Sequence, residues 1–520
     1  MKLSELIAGM DVRCVTDGVD LDAIRVCDLT EDSRTTVPGS LFIARLGTKS
    51  DGCKYIEPAI QCGCVAIVTD RTTVLDDIEL GMNSKLAIFV TEDVKQVGAE
   101  LAERFYGYPA SALVIAGITG TNGKTTITHL AHQLIESAGV RCGLIGTVEI
   151  DDGRQRARSS MTTPPAVELS RTMATMMEHD CKAVVMEVSS HALDQARVGA
   201  IRFDACAFTN LTGDHLDYHH TIEHYQSSKA KLFGLLKDDG LAVINIDDDG
   251  AGLMIDACAA GSQIMRCTAN DSVKVLDESI KGMTLKLHTP IGVIESRVPI
   301  FGSYNAMNIL QAVLLAQHVL GKAGISESDQ MRAIEEELVH LVLPSGRFEH
   351  VESCDDDVVV LVDFAHTDDA LGSALGAIRA VLAEESRLWC VFGCGGDRDT
   401  TKRPRMGSIV SELADMVVIT SDNPRTEPPN RIIDEILSGI SSEHKGKVSV
   451  QSDRSRAIGY AIANAGVGDV ILIAGKGHET EQVSPDAMGG TRSVHFDDRE
   501  HAQTALRERR LRSSTEVPNK

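Results

Sequence analysis

The chain is short of positive charge: 51 Lys and Arg stand against 75 Asp and Glu, a formal charge of −24. That balance excludes partners that need a basic footprint, nucleic acid and acidic membrane surfaces. It leaves room for small anionic substrates, which a few local Lys and Arg residues can hold. Long apolar runs are also missing, since none approaches the ~18 residues that span a bilayer. The opening MKLSELIAGMDVRC has neither a sustained apolar core nor a small-residue cleavage site, so no signal peptide is expected and the chain reads as cytoplasmic. The 13 cysteines lack any pairing pattern. Cys62/Cys64 and Cys390/Cys394 have no second pair at zinc spacing, and without a secretion signal disulfides are not expected. Most cysteines read as small buried hydrophobes, such as Cys206 in DACAF and Cys390 in LWCVF. Internal repeats and low-complexity segments are absent too. What is there is an ordinary globular composition, 43% hydrophobic and 24% charged. At 520 residues the chain exceeds one core and is read as two to four domains.

Over the first ~110 residues, short apolar runs (Ser40–Ala44, Val65–Val68, Leu86–Val90) alternate with turn signals, as in strands of a small α/β domain. Tyr108-Pro109 gives a boundary signal. A strand expected over Ala112–Ile118 feeds a Gly-rich turn and a helix. Further buried strands are expected at Ala183–Val188, Ala205–Thr209 and Leu241–Ile246, in a parallel sheet wrapped by helices. The alternating segment Ser272–Pro299 is expected as antiparallel strands on the edge of that sheet, followed by a helix over Ala306–Leu320. Leu343-Pro-Ser-Gly346 marks the next boundary, before a third α/β unit with strands near Val358–Asp363, Trp389–Gly393, Met416–Thr420 and Val470–Ala474. The domains are therefore placed at 1–110, 111–340 and 341–520. The basic end, Arg507–Lys520, reads as a solvated helix end plus tail.

The clearest chemistry lies in Gly120-Thr121-Asn122-Gly123-Lys124-Thr125-Thr126. A strand ending in a Gly-rich turn that opens a helix aims backbone N–H groups and a helix dipole at anionic oxygens. Lys124 adds a point charge, and a hydroxyl such as that of Thr125 is available to Mg²⁺. The usual Walker spacing asks for Gly where this chain has Ile118, and Gly120 gives a shorter loop. Glu187 ends one buried strand and His215 follows another, at the edge where α/β sheets bind ligands. A carboxylate and an imidazole beside phosphates suit Mg²⁺ completed by water. The competing reading of His191, His215 and His219 is structural hydrogen bonding. At 100° per residue over Thr221–Leu236, Ile222, Tyr225, Leu232 and Leu236 share a face. Lys229 falls on that apolar face and Lys231 on the polar side; a lysine so placed can also snorkel its head to water.

This loop resembles that of the ATP-dependent Mur ligases of cell-wall synthesis. Further segments carry the resemblance: Thr162-Thr-Pro164, Glu187-Val-Ser-Ser-His191, Thr209-Asn-Leu-Thr-Gly-Asp-His215-Leu-Asp217, Asn305…Asn308, Ser345-Gly-Arg347 and Asp363-Phe-Ala-His366. Gly393-Cys-Gly-Gly-Asp-Arg398, Asp422-Asn-Pro-Arg425 and Gly475-Lys-Gly-His-Glu479 look like the signatures of the MurE type within that family. The resemblance runs from Asp32-Ser-Arg34 to Asp497-Asp-Arg499. It departs from the family at Asp368, often proline, and at Phe364, often tyrosine.

The resemblance implies three α/β domains: a smaller N-terminal one for a UDP-linked substrate, a central P-loop-type ATPase with a mostly parallel sheet, and a Rossmann-like C-terminal one for an amino acid. It implies an ATP-dependent amide ligase of peptidoglycan precursor synthesis. This enzyme would add meso-diaminopimelate to UDP-N-acetylmuramoyl-L-Ala-D-Glu through an acyl phosphate, working with Mg²⁺ and as a monomer. ATP would meet Gly120 to Thr126, Asn305, Asn308, Arg347, Asp363 and His366; helix capping is the competing role for the two asparagines. The UDP substrate would meet Ser33, Thr162, Thr163, Ser189, Gln195 and Arg197. Diaminopimelate would meet Arg398, Asp422, Asn423, Arg425, Gly475 and Glu479, with Arg425 on its distal carboxylate and Glu479 available to an ammonium. By resemblance Lys229 is carbamylated to N6-carboxylysine and helps Thr125, Glu187 and His215 hold metal, and Lys124 neutralises the transferring phosphoryl group. Rival readings are the same ligase using L-lysine, a folylpolyglutamate-synthase-like ligase and a nucleotide-binding scaffold without ligase activity.

Overall fold

The computed structural model describes residues 1–47, 50–71, 86–213, 215–351, 356–486 and 489–515. Among these, no helix is long and apolar enough to cross a membrane. Each of three α/β units is organised around its own sheet, buried on both faces. In the first, a 5-stranded sheet runs in the order Arg13–Cys14, Ala87–Val90, Ala66–Thr69, Ser40–Ala44, Asp28–Thr30. Continuous apolar runs such as SLFIA have every residue buried, as expected of strands covered on both sides.

The second unit holds an 8-stranded sheet. Val114–Thr119 lies at its centre, parallel to Ala183–Glu187 on one side and to Phe203–Phe208 on the other. Leu236–Asn245 and Gln263–Cys267 extend one edge in parallel. Cys142–Ile145 and the hairpin Glu149–Asp151/Arg156–Arg158 extend the other. Because Val114–Thr119 has neighbours on both sides whose connections run in opposite directions, the crevice at its C-terminal end is the topological switch point where such sheets bind ligands. The helix Lys124–Ser137 leaves that end.

Four expectations need correction. The segment Pro109–Ala112 is a short helix after Tyr108 in the left-handed region (φ 59°), and the strand starts later, at Val114. Ser272–Pro299 does not extend the parallel sheet. It forms its own 3-stranded antiparallel sheet, Val273–Ser279, Gly282–Thr289 and Gly292–Val298. Alternate residues Met283, Leu285 and Leu287 bury against the long helix Ser303–Lys322, which supplies the apolar surface that a sheet edge would lack. The helix expected through Leu236 is Ile222–Ala230, and Leu236 already begins a strand. Of its proposed apolar face, Tyr225 is buried but Ile222 is exposed. The basic end is anchored as far as Arg509: Leu506 is buried, and Arg509 donates to both oxygens of Asp357 at 2.7 and 2.8 Å. Residues 516–520 of that tail lie outside the described residues.

The third unit carries a 6-stranded sheet in the order Glu349–His350, Val359–Asp363, Val470–Ala474, Leu388–Phe392, Met416–Ile419, Val448–Val450. All pairs are parallel except the first. A separate hairpin, Glu481–Pro485 with Thr491–His495, stands beside its C-terminal edge.

Candidate active site

The phosphate loop is shaped by two glycines that no L side chain can replace without strain. Gly120 sits at φ 146° and Gly123 at φ 87°. A Cβ on Gly120 would fall 1.8 Å from Thr209 Oγ1, and one on Gly123 2.7 Å from Asn308 Oδ1. The loop is pinned from the neighbouring strand end: Thr209 Oγ1 donates to Asn122 O (2.6 Å), and Asn122 N donates to Asn210 Oδ1 (2.9 Å). Lys124 Nζ folds back on the loop, donating to Gly120 O and Thr121 O at 2.8 Å each. Thr121 Oγ1 lies 3.0 Å from Tyr225 Oη, and Thr126 is buried on the first helical turn.

Lys229 does not snorkel. It is 1% exposed, donates to Gly120 O at 2.6 Å and stands 4.4 Å over the Tyr225 ring. Two ammonium groups, those of Lys124 and Lys229, thus share one carbonyl beneath the phosphate loop.

Glu187 is 0% exposed and joins two parts of the site. Its Oε2 accepts from Thr125 Oγ1 of the loop (3.0 Å) and from Thr147 Oγ1 (3.0 Å), and its Oε1 accepts from Thr147 N (2.7 Å). Thr147 Oγ1 lies 3.0 Å from Thr162 Oγ1. The adjacent cluster follows without a break. Thr163 Oγ1 donates to Glu187 O (2.9 Å) and accepts from Ser189 N (3.1 Å). Arg197 donates to Thr163 O (2.6 Å) and, through Nε and Nη2, to Gln195 Oε1. Burial lowers the Arg197 pKa from its ordinary value, with Arg45 of the first unit pushing the same way. Thr162, Thr163, Ser189, Gln195 and Arg197 are thus brought together. Ser33 lies in the first unit, opening the 3₁₀ turn Ser33–Thr35 capped by Asp32. The His215 ring meets His191 at 4.8 Å and Tyr225 at 6.5 Å between centroids. Among the described residues, no group of three or more His, Cys, Asp and Glu could hold a metal ion.

The third unit closes on the loop. Arg347 Nη2 reaches Thr125 Oγ1 (3.4 Å), and its guanidinium stacks over Phe364 at 4.7 Å. The departure from tyrosine therefore keeps the ring face. Asn122 Nδ2 donates to Asp369 Oδ2 at 2.9 Å. The other departure, Asp368, opens a helix capped by Thr367 and pairs with Arg405 at 3.3 Å. Asp363 accepts from Phe348 N and Ala365 N, and burial raises its pKa. His366 Nδ1 lies 2.9 Å from Phe364 O. Asn305 and Asn308 do not cap: the N-cap is Gly302, whose N–H donates to Glu278 Oε1 at 2.6 Å. Instead Asn305 donates to Phe301 O, and Asn308 donates to Asn305 Oδ1.

At the far end of the third sheet, Arg425 sits at φ 53°. Its backbone N donates to Val483 O (3.0 Å) and its Nη1 to Gly396 O (2.6 Å). Among the described residues its other guanidinium nitrogens make no hydrogen bond. Burial lowers its pKa, and the positive charge of exposed Arg398 acts in the same direction. Asn423 Nδ2 donates to Glu479 Oε2 at 2.7 Å. A Cβ on Gly475 (φ 117°) would fall 2.5 Å from Asp422 Oδ2, and burial raises the pKa of Asp422. Sequence reasoning missed Thr147, whose signal was its place just beyond a strand end. It also missed the buried cations Lys476, Arg403 and Arg454, which read as ordinary basic residues until their burial is known.

Comparison with known proteins names the class. The profile of the Mur ligase middle domain matches residues 118–316, that of the Mur ligase glutamate ligase domain 346–477, and that of the Mur ligase family catalytic domain 28–106. The chain belongs to the Mur ligase family. More particularly, it is similar over its whole length to ligases named UDP-N-acetylmuramoyl-L-alanyl-D-glutamate–2,6-diaminopimelate ligase. That of Gloeobacter violaceus is 41% identical over 518 residues, 98% of this chain and 99% of the relative. That of Synechococcus elongatus is 40% identical over 512 residues, covering 98% and 99%. A solved structure of a ligase of the same name is 30% identical with a TM-score of 0.66, covering 98% of this chain and 99% of that one.

Proposed function

We propose that the chain is the ATP-dependent ligase that joins meso-diaminopimelate to the D-Glu carboxylate of UDP-N-acetylmuramoyl-L-Ala-D-Glu in peptidoglycan precursor synthesis. One observation carries the ligase reading: Glu187 links the phosphate loop, through Thr125, to the Thr147–Thr162–Thr163–Arg197 cluster. A phosphate on the loop and a carboxylate on the cluster then meet at one buried point, as acyl phosphate formation requires. The rest of the catalysis is positioning and charge neutralisation.

In this reading the first unit (1–110) and the cluster Ser33, Thr162, Thr163, Ser189, Gln195 and Arg197 hold the UDP substrate. Arg197 offers its planar fork to an anionic group. The central unit (111–340) holds ATP with Gly120 to Thr126, Asn305 and Asn308, and Lys124 swings from its own loop carbonyls to the phosphates. Arg347, Asp363 and His366 complete the nucleotide site from the third unit (341–520). The donor set fits Mg²⁺. A buried carboxylate and a hydroxyl lie at the phosphate site, and protein side chains alone are too few, so phosphate oxygens and water complete the shell, as is usual for this ion. When bound, Mg²⁺ supplies charge neutralisation of the phosphates.

A carbamate on Lys229 fits the same place. Two ammonium groups crowded on Gly120 O repel, whereas an anionic N6-carboxylysine would attract Lys124 and serve with Glu187 and His215 as a donor. The amine substrate lies in the third unit. Arg425 with unbonded guanidinium arms and Glu479 with Oε1 unbonded among the described residues present a cation and an anion. That pair suits the distal carboxylate and ammonium of diaminopimelate and leaves a charge unmatched against L-lysine. Arg398, Asp422, Asn423 and Gly475 frame it. The enzyme works in the cytoplasm as a monomer. Offering diaminopimelate, L-lysine and ornithine side by side with ATP and the UDP-dipeptide tests the reading: only diaminopimelate is ligated efficiently, and preference for lysine would overturn the assignment.

A further inference from the structure

Lys476 lies inside the segment Gly475-Lys-Gly-His-Glu479, yet its ammonium has no part in the site as described so far. It is 0% exposed. Burying an ammonium is costly unless its three donors are satisfied, and here each has an oxygen. Lys476 Nζ reaches Glu479 Oε2 at 3.1 Å, Asn423 Oδ1 at 3.3 Å and Glu481 O at 2.5 Å. These oxygens belong to three separate elements: the turn after strand Val470–Ala474, the Asp-Asn-Pro-Arg turn after strand Met416–Ile419, and the first strand of the hairpin Glu481–Pro485/Thr491–His495. The hairpin is tied to the same turn from its other side, with Val483 N donating to Asn423 Oδ1 and Gln482 Nε2 to Asp422 O.

The bonds divide the Glu479 carboxylate into two unlike halves. Oε2 is engaged twice, by Lys476 and by Asn423 Nδ2, while Oε1 is unengaged among the described residues. Two donors on one oxygen fix the plane of the carboxyl, so the other oxygen points in a defined direction. Across the turn, Gly396 O holds one nitrogen of Arg425 and leaves the others. An anchored anion and an anchored cation then stand on two turns that Lys476 and Asn423 tie together, at a separation those bonds set.

We propose that Lys476 is a positioning residue that determines amino-acid specificity: by holding Glu479 and Asn423 it sets the spacing between the free Glu479 oxygen and the Arg425 guanidinium. It touches neither the substrate nor the phosphates. The proposal rests on the assignment of this pocket to the incoming amino acid. Loss of a charge-assisted bond at such a place weakens binding by about tenfold to a hundredfold.

The test uses the full-length enzyme with saturating ATP and UDP-dipeptide, varying diaminopimelate. Lys476→Met raises the KM for diaminopimelate about tenfold or more, leaves kcat within about threefold and the KM for ATP within about twofold. The ratio of diaminopimelate to lysine use falls with it, and Lys476→Arg recovers part of the loss. In a Glu479→Gln background, Lys476→Met adds little, because its effect passes through Glu479. An unchanged KM, a fall in kcat alone, or effects that multiply in the double variant would overturn the proposal in favour of a structural role. If Lys476→Met does not fold by circular dichroism, Lys476→Arg and Lys476→Gln decide by the same KM split. A wild-type enzyme that ignores diaminopimelate would instead overturn the pocket assignment itself.

Discussion

Replacing Glu187 with glutamine separates the charge of this residue from its hydrogen bonds. In the wild type its carboxylate accepts three bonds, two from hydroxyls and one from Thr147 N. Glutamine can keep all three. Its carbonyl takes the place of Oε1 toward Thr147 N, and its amide donates to the two threonine hydroxyls, which rotate to accept. The fold therefore loses about 1 kcal/mol or less, a shift of about 1 °C or less in Tm for a chain of this length. The charge is another matter. A unit charge ~4 Å from a divalent ion at an effective dielectric of ~20 interacts by about 8 kcal/mol, of which desolvation of the two charges cancels roughly half. The apparent Mg²⁺ affinity should then fall by roughly 10²–10³-fold. Measuring ADP release against Mg²⁺ concentration, with thermal unfolding alongside, tests both halves. A Glu187→Gln enzyme with wild-type Mg²⁺ dependence would refute the role of Glu187 in the metal site. A collapse of Tm would refute the hydrogen-bond accounting.

Three further outcomes are expected. Lys229→Ala should abolish most turnover and regain part of it with short carboxylic acids, which replace the carbamate; no effect on turnover would refute the modification. Arg425→Ala should lower the discrimination between diaminopimelate and L-lysine by about 10²-fold or more, since truncating one partner of a buried charge pair costs several kcal/mol; competition between the two amino acids reads this directly. Burial, reinforced by the charges of His132, Arg156, Arg347 and His478, pushes the His129 pKa down to about 3. The folded state therefore keeps His129 neutral while the unfolded chain protonates it near pH 6.5. That contribution to stability is present above about pH 6.5 and is lost as pH falls, amounting to about 2 kcal/mol between pH 7 and 5. Urea unfolding of His129→Asn should show a correspondingly weaker loss over that range, and an unchanged loss would refute it.

The phosphate loop was legible because its chemistry is local. Strand, glycine turn and helix are consecutive, and Gly120 and Gly123 supply the positive φ angles that the turn needs within a few residues. The burial of Lys229 was legible from its phase on a helix, although the helix stops at Ala230. Its phase survived because the turn Phe233–Leu235 continues the chain into the same core. The strands at Ser272–Pro299 had the right alternation, but periodicity states only that one face is buried and not against what. Here the covering surface is the helix Ser303–Lys322. Least legible were the buried cations. Arg454 donates two bonds to Asp498, and Arg403 holds Glu427, Glu435 and Gly395 O around the glycine loop. The carboxylate partners lie 24 to 44 residues from their arginines, so no short window of sequence contains these pairs. The net charge of −24 gains a finer meaning from these pairs. Several of the few cations hold acidic turns in place inside the third unit, which leaves Lys124, Arg197, Arg347 and Arg425 for the proposed substrate sites.

The most direct measurement is amide formation by the purified chain with ATP, Mg²⁺ and UDP-N-acetylmuramoyl-L-Ala-D-Glu, offered diaminopimelate, L-lysine and ornithine in parallel. The expected result is ADP release that needs both the UDP-dipeptide and the amine, with a tripeptide product formed efficiently from diaminopimelate alone. Release of ADP without either substrate, or efficient ligation of lysine, would contradict it.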